Sequence, residues 1–405
     1  MKTLIDSLIN ALRNYQESGR EFKALLGFDG YVDKIQKVVK SKNGNASVYF
    51  DTITQIADHV GALAGVSGQI EIRNLELKLG GNAPIMANSL GALGVKNTCV
   101  GTMGYPDLNN VFEEMNSNCE VISIAEPAQT NAMEFNDGKI IFSEVSTFEQ
   151  LTWTYVAAIA GIDNLTKWIY ESQLIAFVDW ANLNHCTDIW RGILEDIIVN
   201  LNPAPSEKEQ NAFYFSSKNV LNSDSNGMRH KNFFFDLCDP SKRSKEEILA
   251  ALSVINRYKP YGKVTLGMNE NEARKVYAAL DGAALDSAAL DRENSESSDL
   301  QTITNYIFNK MSVHQVLVHP TDRSMIGTKN GVFEVKGRLV PEPRILTGGG
   351  DNLNAGFCLG LVLDLPINQT MLLGMANSGA YIANGVSPDV DDLIRYLEVW
   401  AGEVG

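Results

Sequence analysis

Cysteine is scarce in this chain. There are five in 405 residues, at positions 99, 119, 186, 238 and 358, odd in number and never in a Cys-x-x-Cys pair. That pattern excludes a disulfide framework and a paired-cysteine zinc site, and it reads as reduced, buried thiols. Histidine is equally thin: five dispersed residues suggest neither a metal cluster nor a Ser-His-Asp triad. Long apolar runs are missing too. Nothing approaches the roughly 20 residues of a membrane span, and Asp6 and Arg13 interrupt the N-terminal apolar pattern where a signal peptide would need an unbroken core. The cytoplasm is the expected compartment. Positive charge is in deficit, with 34 Lys and Arg against 49 Asp and Glu and a formal charge of −15. A surface of that sign disfavours nucleic acid or an anionic membrane as partner, while leaving room for a local basic pocket around a phosphorylated ligand.

Glycine is placed to matter. Leu346-Thr347-Gly348-Gly349-Gly350-Asp351 leads into an apolar run, Leu353 to Leu365, that reads as a buried helix opening at the glycines. Unpaired N–H groups in the first helical turn, together with the positive end of the helix dipole, bind anions such as phosphate. A carboxylate beside an anion hole is electrostatically unfavourable unless it has work to do. The natural work for Asp351 is to take the proton of a hydroxyl that attacks phosphorus. The competing reading is a glycine-rich turn with Asp351 as a helix cap.

The neighbouring motifs favour the first reading. The stretch resembles the C-terminal signature of the ribokinase-like (PfkB) sugar kinases, commonly Asp-Thr-x-Gly-Ala-Gly-Asp, with Gly348, Gly350, Asp351, Ala355 and Gly356 matching. Ile345 and Leu346 stand where Asp-Thr is usual, and Gly349 replaces Ala. The family's N-terminal Gly-Gly-Asn signature is matched by Gly80-Gly81-Asn82, followed by a helix of small residues. Upstream, a strand at about 22–28 ends in Gly27-Phe28-Asp29-Gly30-Tyr31-Val32-Asp33, at the edge where open α/β sheets bind ligands. Members of the family end their first strand in an Asp that holds sugar hydroxyls. Asp33 is preferred for that role and Asp29 comes second. Asn269-x-x-Glu272 resembles the family's Asn-x-x-Glu motif, whose carboxylate helps hold Mg²⁺ and its waters. A helix start with acids in its first turn would look the same.

The resemblance covers about residues 22–400 and implies a three-layer α/β/α domain with a mainly parallel central sheet and a small β-sheet lid. An N-terminal helix, about 3–17, precedes it. Lid segments are expected at about 34–79 and 121–145, including a hairpin of 130–135 with 139–144, and surface insertions at about 202–231 and 281–299. From Leu151 onward helices and strands alternate as in a parallel sheet. The implied chemistry is transfer of the γ-phosphoryl of Mg·ATP to a sugar or nucleoside hydroxyl. Asp351 is the base and the Gly348, Gly349 and Gly350 amides form the anion hole. Asp33, Asp29, Gly80, Gly81 and Asn82 surround the acceptor, and Asn269, Thr347, Asn354 and Asn377 the nucleotide. The strand Gln315 to Val318 leads into His319-Pro320-Thr321-Asp322-Arg323, where relatives often carry Gly-x-x-Gly, and Arg323 either meets phosphate or is an exposed turn residue. Related ADP-dependent sugar kinases have a similar first-strand motif, so the donor stays open between ATP and ADP. A catalytically silent sugar- or nucleotide-binding protein on the same scaffold is the alternative of another class. The lid leaves a homodimer open.

Overall fold

The computed structural model describes residues 1–201, 231–281 and 299–404. Apart from Lys231, Asp281 and Asp299, the expected insertions at 202–231 and 281–299 lie outside the described residues.

Short apolar runs build the larger sheet. β1 (Lys23–Gly27), β5 (Lys96–Gly101), β6 (Cys119–Ser123), β9 (Leu174–Phe177), β10 (Asn232–Asp236), β11 (Lys263–Met268) and β12 (Gln315–Val318) run parallel, and β13 (Arg323–Thr328) and β14 (Gly331–Lys336) extend one edge antiparallel. Strand order is β14-β13-β12-β11-β10-β9-β1-β5-β6. The central strands β9 and β10 are buried at every residue, as strands covered on both faces must be. Side chains alternate across the sheet, so β10 serves two cores. Phe233 and Phe235 meet Tyr258 and Trp190 on one face, with ring centroids 5.0–5.1 Å apart. Phe234 meets Phe357 on the other at 6.3 Å. The N-terminal helix, Lys2–Ser18, buries Ile5, Leu8, Ile9, Leu12 and Tyr15 on that second side.

A separate five-stranded sheet stands over the C-terminal edge of the first. It contains β2 (Tyr31–Asn43), β3 (Ala46–Tyr49), β4 (Ile72–Gly80), β7 (Ala128–Phe135) and β8 (Gly138–Glu144). The expected hairpin is β7-β8. One lid expectation needs correction. Residues 121–123 belong to β6 of the large sheet, where they pair with β5. The 34–79 segment holds most of the 13-residue β2, then β3, a helix, Ile53–Gly61, and most of β4. Four lysines (34, 37, 40 and 42) weaken the strand signal of β2, which is held by pairing with β3, β4 and β7.

The glycine run opens a helix, Gly349–Val362, as expected, and the helix ends before the apolar run does. Gly348 caps it at φ 85°, a left-handed conformation that suits glycine. This helix packs backbone to backbone on Ile367–Asn384. A Cβ on Gly356 would lie 2.7 Å from Asn377 Cβ and 2.8 Å from the Leu373 carbonyl. Gly356→Ala should therefore cost about 1–3 kcal/mol by overpacking, measured as a lower denaturant midpoint. Gly402→Ala, with nothing within 4 Å, should leave the midpoint unchanged or raised. Equal midpoints for both variants would mean the helices do not meet at Gly356.

Candidate active site

Three adjacent parallel strands place carboxylates at one edge: Asp29 just after β1, Asp179 just after β9 and Asp236 at the end of β10. Each already has partners. Asp29, fully buried, accepts the N–H groups of Asn82 at 2.6 Å and Ala83 at 2.8 Å, and so caps the helix Asn82–Ala92. Gly81 is required there, because at φ 101° its Cβ would sit 2.6 Å from Asp29 Oδ2. Asp179, left-handed at φ 58°, accepts from Tyr31 Oη at 3.0 Å and Asn182 Nδ2 at 2.6 Å. Asp236 accepts from Cys238 N at 2.7 Å and Asn354 Nδ2 at 2.8 Å. Burial pushes all three upward, Asp29 well above the usual carboxylate range and Asp179 to about 6.

Asp351 joins this field from the first turn of its helix. Burial and then the carboxylates of Asp236, Asp29 and Asp179 raise its proton affinity well above the ordinary value, while a hydrogen bond from the Asn82 side chain opposes them. Asp33 comes from the other side, on β2. Burial raises it, and a bond with Thr130 and the charges of Lys139 and Lys78 pull it back. Gly80 makes room, since a Cβ there would fall 2.5 Å from the Asp33 carboxylate. Tyr381 lies in the field of both acids: its phenol is pushed up to about 12 by burial, then Asp351, then Asp33. Its hydroxyl donates to the Thr347 carbonyl at 2.9 Å, pinning the glycine turn. From the lid, Lys139 Nζ donates to Thr347 Oγ1 at 2.5 Å. Of the glycine amides, that of Gly349 donates to the Leu346 carbonyl at 3.2 Å.

Asn269 and Glu272 form a reciprocal cap. Asn269 N and Nδ2 donate to Glu272 at 2.8 and 2.6 Å, and Glu272 N donates to Asn269 Oδ1 at 3.0 Å. Burial, then Asp236, push Glu272 up to about 8. No three His, Cys, Asp or Glu side chains among the described residues converge closely enough to hold a metal ion by themselves. Mg²⁺ does not need that many, because it keeps waters and shares phosphate oxygens. A buried carboxylate whose ionisation is opposed by its neighbours fits such a cation.

Two nucleotide candidates have partners within the protein. Asn377 is fully buried and donates to Ser89 Oγ at 3.0 Å and the Asn352 carbonyl at 2.6 Å, joining helices. Asn354, 2% exposed, donates to Asp236, and the amide oxygens of both residues are without a partner in the protein. Arg323 opens β13 and lies 3.5 Å from Asp322. Sequence reasoning missed Asp179, Lys139 and Tyr381. Asp179 carries no motif within the alternating helices and strands after Leu151, and Lys139 looked like any hairpin residue. The phenol of Tyr381 meets the glycine turn only through packing.

Comparison with known proteins matches the prokaryotic ketohexokinase family over residues 3–208 and 230–400. A ketohexokinase of Haloferax volcanii is 23% identical over 392 residues, spanning 96% of this chain and 93% of that protein. Among solved structures, a nucleoside kinase of Methanocaldococcus jannaschii, an archaeal member of the ribokinase family, is similar with a TM-score of 0.54 at 16% identity, over 94% of this chain and 100% of that one. A structure described as ribokinase II of E. coli, with ATP and Mg²⁺, has a TM-score of 0.56 at 12% identity, over 94% and 100% of the two chains. The fold is ribokinase-like.

The acid cluster predicts a pH dependence. Glu272 binds its proton more tightly folded than unfolded, so its contribution to stability is present at low pH and is lost as pH rises through about 8. Ligand-free protein in chelator should lose roughly 2–4 kcal/mol from this group between about pH 5 and pH 8. Glu272→Gln should flatten that fall in denaturation curves. A variant whose stability falls as steeply as wild type would remove Glu272 from the account.

Proposed function

We propose that this chain, which belongs to the prokaryotic ketohexokinase family and is a carbohydrate kinase, transfers the γ-phosphoryl group of Mg·ATP to a hydroxyl of a ketohexose. The observation that carries the reading is the seating of the lid on the glycine turn, where Lys139 of the lid donates to Thr347 at 2.5 Å and the Tyr381 phenol, 2.9 Å from the Thr347 carbonyl, feels the charges of both Asp33 and Asp351. One carboxylate belongs to a surface suited to hold an acceptor, and the other to a helix start suited to hold phosphate. The ketohexose acceptor is supported by the family and by the Haloferax volcanii relative. ATP with Mg²⁺ is supported by the E. coli neighbour that binds them.

In this reading Asp33 accepts hydrogen bonds from sugar hydroxyls, with Gly80 giving the sugar access and Asn82 close by. Asp29 caps the helix that carries Asn82. Asp351 takes the proton of the attacking hydroxyl as the oxygen–phosphorus bond forms and the bond to the leaving ADP breaks. Its raised proton affinity suits a group that must accept a proton. The amides at Gly348 to Gly350, Thr347 and Lys139 stabilise charge on the phosphoryl group. Glu272 would hold Mg²⁺, through its waters, with Asn269 beside the nucleotide, and the ion would supply charge neutralisation of the phosphates. The lid exposes Leu75, Leu77, Ile141 and Phe142, a surface that a homodimer through the lid would cover.

Purified protein should phosphorylate fructose with ATP in preference to glucose or nucleosides, and with ATP in preference to ADP. Nucleoside phosphorylation without ketose phosphorylation would overturn the acceptor, and faster turnover with ADP would overturn the donor. Asp351→Asn should lower kcat by about 10²–10⁴-fold, with melting temperature and nucleotide affinity near wild type. Near-full turnover by that variant would end the role of Asp351 as base.

A further inference from the structure

We propose that Tyr31 and Asp179 act together as positioning residues: the buried hydrogen bond between them fixes the root of the lid to the central sheet, and so sets where Asp33 stands over the site. This rests on the reading of Asp33 as the carboxylate that holds the sugar.

Tyr31 lies at the joint between the two sheets. It opens β2 and pairs with Gly80, the last residue of β4, and with Ala128, the first of β7, so three adjacent lid strands meet the body of the protein at this row. Alternate residues of a strand share a face, which puts Tyr31 and Asp33 on the same side of the lid. That side looks toward the large sheet, because the Tyr31 hydroxyl donates to Asp179 Oδ2 at 3.0 Å, just beyond the end of β9. The Tyr31 ring stands edge-on to Phe148, with centroids 5.2 Å apart, in the same core as Phe177 and Phe235.

Asp179 is held firmly. It is fully buried, and its backbone is left-handed at φ 58°, a conformation that costs free energy in a residue with a Cβ. Asn182 Nδ2 donates to its other oxygen at 2.6 Å. The loop that carries both is braced from the neighbouring strand. Ala181 N donates to the Leu237 carbonyl at 2.9 Å. The Arg243 guanidinium donates to the carbonyls of Trp180, Ala181 and Leu183 at 3.3, 3.0 and 2.8 Å, and lies 5.1 Å over the Trp180 ring. A buried carboxylate in a left-handed turn is a costly partner for one phenol, and the arrangement makes sense where the position of that phenol matters. The contact of Lys139 with Thr347, nearer the tip of the β7-β8 hairpin, is exposed to water, whereas the bond at the root is shielded from it. Loss of the root bond would leave the lid less restricted in angle. The acceptor pocket would then be assembled a smaller fraction of the time, and apparent sugar affinity would fall by that fraction.

The test is steady-state kinetics with fructose, and calorimetric binding of ATP, for wild type, Tyr31→Phe, Asp179→Gly and the double variant. Phenylalanine keeps the ring and removes only the hydroxyl, and glycine removes the carboxylate at a backbone angle that suits it. Tyr31→Phe should raise the fructose KM by about tenfold, with kcat within about threefold of wild type and ATP affinity unchanged. Asp179→Gly should do the same, and the double variant should be no worse than either, as for the two ends of one bond. Each variant should also hydrolyse more ATP per fructose phosphorylated, because a less restricted lid admits water. Additive effects would mean that the residues act separately and would overturn the inference, as would a fructose KM for Tyr31→Phe equal to wild type. ATP affinity that falls as far as fructose affinity would also overturn it, since that is general damage. Asp179→Asn, whose side chain tolerates the left-handed backbone, replaces Asp179→Gly should that variant not fold, and Asp179→Gly carries the comparison should Tyr31→Phe not fold. Wild type that phosphorylates no ketose would overturn the acceptor reading and the inference with it, whereas an active wild type matched by Tyr31→Phe overturns the inference alone.

Discussion

Five carboxylates, those of Asp29, Asp179, Asp236, Glu272 and Asp351, share one poorly hydrated region, and their mutual repulsion is the constraint to which the rest of the site answers. Burial alone would drive such groups to hold protons, and each neighbour adds to that cost. The chain offsets it chiefly with dipoles, Lys275 adding its charge near Glu272. Asp29 takes two amides at the start of a helix, Glu272 takes the amide and side chain of Asn269, and Asp236 takes Asn354. Fixed dipoles hold the acids in place without neutralising them, which leaves the region electrostatically ready for a cation and for a proton to move. A protein with a formal charge of −15 can bind polyanionic nucleotides at such a place only if these dipoles, Lys139 and a metal ion outweigh the acids locally.

Packing and chemistry are coupled through particular glycines. Gly80 and Gly81 lack side chains because the carboxylates of Asp33 and Asp29 occupy that space, and a Cβ on Gly348 would meet Tyr381 Oη at 2.9 Å. The same helices that bring Asp351 forward are held by the close approach of Gly356 to Asn377. A change in the helix pair would therefore reach the site as a displacement of the glycine turn.

Much of this was legible in the sequence because it was written locally. The N-terminal helix, expected at about 3–17 and found at Lys2–Ser18, and the β7-β8 hairpin follow from periodicity and turn residues. So does the ordering of Gly80-Gly81-Asn82, Asn269-x-x-Glu272 and the glycine run. What was not legible depends on distant pairing. β2 is rich in lysine and becomes a strand because three neighbours pair with it. Asn354 and Asn377 carry amides that look suited to a ligand, yet the fold turns them inward to satisfy Asp236 and Ser89. Asp179 works through a left-handed backbone that no residue pattern announces.

Asp33 and Asp351, the proposed acceptor carboxylate and base, belong to different layers, and this separation shapes how the site would work. Asp33 sits on the lid sheet, while Asp351 lies in the first turn of a helix. Only where the lid lies against the glycine turn are the two brought together, and the contact between Lys139 and Thr347 marks that arrangement. Lys139 thus ties the lid to the glycine turn through an exposed ammonium that could exchange its hydroxyl partner for a phosphoryl oxygen. In the proposed reading, a sugar held by Asp33 and a phosphoryl group met by Lys139 would be covered by the same sheet, which would exclude water from both. Transfer to the sugar in place of hydrolysis would then follow, because the sheet that holds the acceptor also carries the charge that stabilises the transferring group.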